Sequence, residues 1–133
     1  MAFFDALRTA LSRYAEGVHE SQPPLSASAL RETETRLGVT LPESYADFLL
    51  SFDGVTLFHE AQALFPAARI EPAPGLPGCL LVGETPEGRL YLRRDGGLLL
   101  IDPEAPDPIL CGSAIEPFLD AVLARDALIL DRD

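Results

Sequence analysis

The chain has 133 residues, 47% of them apolar, which is enough for one domain with its own core and too much for a disordered tail. Its formal charge is −11, with ten basic residues that are all arginine, so a phosphate backbone or an anionic membrane leaflet would be repelled and a basic protein would be attracted. Two cysteines, Cys79 and Cys111, form neither a disulfide framework nor a CxxC metal pair, and the expectation is no metal and no cofactor.

Residues 2–16 place Phe3, Phe4, Leu7, Leu11 and Tyr14 at helical spacing, and Gly17 follows as a stop. This opening has neither the basic start nor the long apolar run of a signal peptide, and no stretch reaches membrane-spanning length, so a cytoplasmic location is expected. A proline-bearing linker leads to Ser26, which can cap a second helix ending at Gly38. Leu41 is biased toward extended backbone by the proline that follows it. Pro42 fits the first position of a third helix, and Glu43 lies in its first turn. Tyr45, Phe48, Leu49 and Phe52 then form an apolar stripe, and Asp53-Gly54 ends it.

After Gly54 the period changes to short apolar runs between turns: 55–58, 63–70, 79–84, 89–94, 97–102 and 109–112. The turns are read at 85–88, 95–96 and 103–108, and 71–78 is too rich in proline and glycine for a strand. The 97–102 run is apolar on both faces and is expected to lie centrally. A helix is expected at 114–125, with Ile115, Phe118, Leu119, Val122 and Leu123 on one stripe, and the tail could add an edge strand. The expectation is a single α+β domain over residues 1–133: an antiparallel twisted meander packed with N-terminal helices and a C-terminal helix.

Leu37, Gly38, Leu41, Pro42, Tyr45, Phe48, Leu49, Asp53 and Gly54 spell a helix corner that resembles the SUKH superfamily, and the segment 113–123 is similar to that family's last helix. The resemblance implies a twisted sheet packed with helices and a role in protein binding without catalysis. Many bacterial members resemble immunity proteins that neutralise toxins, some of them nucleases; fungal members resemble scaffolds for regulation. Both readings remain open at this point.

His19 and His59 each precede a glutamate, but no second ligand stands at helical spacing, and no nucleophile elbow or phosphate loop is present. A Cys111–His59 pair is the remaining enzymatic alternative. Because successive turns of a meander alternate between ends of the sheet, Glu84, Glu87, Asp102, Glu104 and Asp107 should gather at one end, with Arg93 and Arg94 toward the other. Such segregation can steer a basic toxin domain onto one edge, and Tyr91, outward-facing between two arginines, is a candidate anchor.

Overall fold

The computed structural model describes residues 4, 7–9, 20–57, 62–102 and 104–121. Two helices, α1 (Ala27–Leu37) and α2 (Glu43–Ser51), are followed by most of an antiparallel sheet. Its strands are β1 (Glu20–Ser21), β2 (Val55–Leu57), β3 (Gln62–Leu64), β4 (Glu71–Pro72), β5 (Leu80–Thr85), β6 (Gly88–Leu92), β7 (Leu98–Asp102) and β8 (Ala105–Gly112). The order across the sheet is β1-β2-β3-β5-β6-β7-β8, with β4 pairing β5 beyond β3. Residues 115–121 are helical.

The helix corner folds as its residues dictate. The Ser26 hydroxyl accepts from the Ala29 N–H at 3.1 Å, satisfying one donor of the first turn of α1. Gly38 closes the helix with φ 73°, and the N–H groups of Gly38 and Val39 donate to the Thr35 and Glu34 carbonyls at 3.3 and 3.2 Å. That is the paired closure of a left-handed cap. The Glu34 carboxylate accepts from the Leu41 N–H at 2.7 Å and so ties the corner to α1. Pro42 stands one residue before α2, not at its first position; with ψ 142° it is still extended.

Asp53 does more than end a helix. Its carboxylate accepts from the Ala67 N–H at 2.8 Å, while Arg36 donates to the carbonyls of Ala67 and Ile70 at 2.9 and 3.0 Å. Side chains from the two ends of the corner thus grip one short turn, the 3₁₀ segment Ala67–Arg69, and hold the helices to the sheet. Phe4 stacks obliquely on Phe48 at 5.9 Å between centroids, and Arg8 donates to the Ser51 carbonyl at 2.8 Å. These contacts seat the N-terminal helical residues on α2.

One core joins Phe4, Tyr45, Phe48, Leu49 and Phe52 to Val55, Leu57, Leu64, Val82, Leu90, Leu92, Leu98, Ile115 and Leu119. The Tyr45 hydroxyl is fully buried with no hydrogen-bond partner among the described residues, and burial pushes its pKa up. Tyr45→Phe should therefore keep or raise stability, by up to about 1 kcal/mol, since it removes a desolvated, unpaired hydroxyl. In the unfolded chain the phenol ionises near its ordinary value of 10, but the folded state holds it neutral. Titration of the phenol thus leaves stability unchanged below pH 10 and lowers it above, where only the unfolded chain ionises, and the variant should lose less stability there. Melting curves between neutral and alkaline pH check both; a clear loss of stability at neutral pH would reveal a hidden partner for the hydroxyl.

Several strand readings are corrected. The 63–70 run is strand only as far as Leu64, with one further bond from the Phe65 N–H to the Val82 carbonyl at 2.8 Å, because Pro66 turns the chain into the 3₁₀ segment. Glu71–Pro72, read as non-strand, makes a two-residue pairing with Leu80 and Leu81; proline is tolerated there because the pairing is short and at an edge. The 103–108 turn is tighter than expected: Ala105 already pairs with Asp102, and Pro106 and Pro108 lie within β8. The 97–102 run lies between β6 and β8, inside the sheet but one strand from its end among the described residues. The expected Phe3, Leu11 and Tyr14 stripe, the end of the last helix and the tail strand fall outside the described residues, as do His19 and His59.

Candidate functional site

Two turns build one end of the sheet. The β5–β6 turn is closed by Thr85, whose hydroxyl donates to Glu87 Oε2 at 3.0 Å while accepting from the Glu87 N–H at 3.1 Å. The β7–β8 turn is closed by Asp102, whose Oδ1 accepts from the Glu104 N–H at 2.8 Å. Both are local bonds of the kind that lets threonine and aspartate replace ladder pairing at a turn. Gly88 lets the two turns approach, because a Cβ there would collide with the Ile101 carbonyl.

The turns enclose an open recess of about 500 Å³ lined by Glu84, Glu87, Asp102 and Glu104, with Arg89 among them. Glu84 and Arg89 face each other in register across β5 and β6. Glu84, Glu87, Arg89 and Glu104 are all exposed. Four of the five acidic residues expected at this end therefore line one recess. Asp107 does not; it is exposed further along β8. Tyr91 lies mid-strand, half-buried between Leu81 and Leu99 in register, away from the recess. Arg93 and Arg94 lie by the β6–β7 turn, where Arg93 pairs with Asp95 at 2.7 Å, and Arg94 passes close to Gly78.

Sequence reasoning missed Arg89 as a member of this end. Its signal was available: a residue that follows a four-residue hairpin turn sits beside its partner across that turn. A second recess adjoins the first and shares Glu84 and Arg89 with it. Arg69 there lies over the Phe65 ring, 4.1 Å from its centroid. The arrangement offers charge and hydrogen-bonding groups on an open surface; among the described residues neither recess is lined by a buried nucleophile or general base.

The cysteines are both free and half-buried, less enclosed than expected. The Cys111 thiol donates to the Leu98 carbonyl at 3.3 Å, and burial pushes its pKa up, which suits a packing role. Among the described residues no group of three or more histidine, cysteine or acidic side chains is placed to hold a metal ion, and no helix is long and apolar enough to cross a membrane.

Residues 24–106 match the model of the SMI1/KNR4 family (SUKH-1). The chain belongs to that family. The match spans both helices of the corner and the sheet from β2 to the start of β8, so it rests on the elements described above. No curated protein matches the chain significantly. The antiparallel α+β architecture is the one that the helix corner led us to expect.

Proposed function

We propose that this SUKH-1 domain is an immunity protein that binds and neutralises a basic bacterial toxin domain without catalysing a reaction. The observation that carries the reading is the acidic end: Glu84, Glu87, Asp102 and Glu104 around one open recess, in a chain of net charge −11. Exposed carboxylates gathered on one edge attract and orient a cationic partner before contact, and such complementarity governs encounter rate and specificity. A nuclease domain is one partner of fitting charge, because it must itself bind phosphate backbones. The same field disfavours nucleic acid and anionic membrane as ligands of this chain. Toxins of this kind act inside the recipient cell, and a cytoplasmic location follows from the reading.

Co-expression with a toxin encoded in the neighbouring genes is the direct test. Cells carrying both genes should survive, and the two proteins should co-purify in a fixed ratio. If these cells die as readily as cells with the toxin alone, the immunity reading fails, and a scaffold or regulatory domain with a housekeeping partner takes its place.

A further inference from the structure

Two apolar rows cross the sheet and stop at the same place. On one face the register aligns Leu81, Tyr91, Leu99 and Leu110 across β5 to β8. On the other it aligns Leu90, Leu100 and Ile109 across β6 to β8. Each row begins buried and ends exposed: Leu81 and Leu90 are inside the core, whereas Leu110 is 55% and Ile109 57% exposed. Ile109 and Leu110 are adjacent in the chain and on opposite faces of the strand, as neighbouring residues in a strand must be. A helix laid on either face would cover one of them and leave the other bare. An extended segment running alongside β8 would extend both rows at once, since its own successive side chains alternate between the same two faces.

Charge favours a basic segment there. Between Arg94 and Arg125 the chain has no basic residue, while Asp95, Asp102, Glu104, Asp107, Glu116 and Asp120 are acidic. Among the described residues β8 is the last strand of the sheet, and it starts at the acidic end, where Ala105 pairs with Asp102. Pro106 and Pro108 in its first half have no N–H to offer, so pairing falls to the second half, Ile109 to Gly112. A second copy of this chain would bring like charge against like and is disfavoured.

We infer that β8 takes up an extended segment of the partner protein by strand addition, and that this segment carries two adjacent apolar residues flanked by lysine or arginine. The apolar pair would lie beside Ile109 and Leu110, and the basic flanks would meet Asp107 and the acidic end. The inference deepens the proposed function and rests on its assignment of a basic partner. Its test uses peptide and not toxin, so the two can fail separately.

The probe is an octapeptide with two central valines, each flanked outward by threonine, lysine and arginine. One control replaces the threonines by proline, which keeps the charge and blocks strand pairing. A second replaces the basic residues by glutamate. With the full chain, the basic peptide should bind at least tenfold more tightly than either control and should slow amide exchange within residues 109–112. Leu110→Asp and Ile109→Asp should each weaken binding at least tenfold while leaving the melting temperature near that of the parent. Equal binding by the proline peptide would mean attraction by charge alone and would overturn strand addition. So would protection confined to other strands, or no binding by any peptide. If the peptide binds as expected but co-expressed toxin still kills, strand addition stands and the immunity reading is what fails.

Discussion

Gly54→Ala is expected to destabilise the domain by about 3 kcal/mol or more, a large share of a typical folding free energy. Gly54 has φ 94°, and a Cβ there would lie 2.7 Å from the Pro66 nitrogen and 3.0 Å from the Leu64 carbonyl oxygen. Two penalties therefore add: backbone strain of about 1–3 kcal/mol and overpacking against main chain of about 1–3 kcal/mol. Main chain is a poor neighbour to displace, because Asp53 holds the next turn through the Ala67 N–H. Gly38→Val supplies the comparison. Gly38 has φ 73° but nothing within 4 Å of a Cβ, so only the strain applies, about 1–3 kcal/mol. Thermal melting of the two variants should rank Gly54→Ala well below Gly38→Val. Parent-like melting of Gly54→Ala would show that the corner and the β3 segment are not locked as described.

Triple reversal of Glu84, Glu87 and Glu104 to lysine should slow association with the basic partner proposed above by about tenfold or more at low salt, and far less at high salt. Steered encounters exceed unsteered ones by orders of magnitude, and screening removes the difference as the Debye length falls from about 30 Å at 0.01 M to about 10 Å at 0.1 M. Each reversal changes the charge by two units wherever it is made, so the control is reversal of exposed Glu20, Glu32 and Asp120, which alters net charge equally. Stopped-flow binding on both variants separates local steering from bulk charge. Equal slowing by the two sets would remove the acidic end from the binding edge and leave only net charge. Dissociation should change little, since exposed charges act mainly on the encounter.

How much of this was legible beforehand follows from the range of each interaction. The helix corner was legible apart from the exact place of Pro42, because caps and apolar stripes are set by neighbours three to seven positions away. The acidic end was readable for a related reason: alternation of hairpin turns fixes which turns share an end, and it brought Glu84 and Glu87 beside Asp102 and Glu104. The length of β8 was not readable. Two prolines punctuate it as they would a loop, and only its place beside β7 permits a strand. Likewise the clasp of Arg36 and Asp53 on Ala67 joins positions 31 and 14 residues apart, beyond any local pattern. The exposure of Ile109 and Leu110 depends on what lies to either side of β8, which strand order decides and composition does not.

The corner that marks the family points inward, and the acidic end lies at the surface, on two short turns and the strand ends beside them. The β5–β6 turn is closed by bonds within its own few residues, from Thr85 to Glu87 and Gly88. Exchange of Glu87 would remove only the bond from the Thr85 hydroxyl to its carboxylate, and no acidic side chain of this end belongs to the core. If the partner is the toxin proposed above, this separation matters: a toxin that escapes by changing its surface can be followed by a few substitutions at the acidic end, with the fold carried along unaltered. The same property makes the domain a frame on which recognition of a new basic target can be selected by varying two loops.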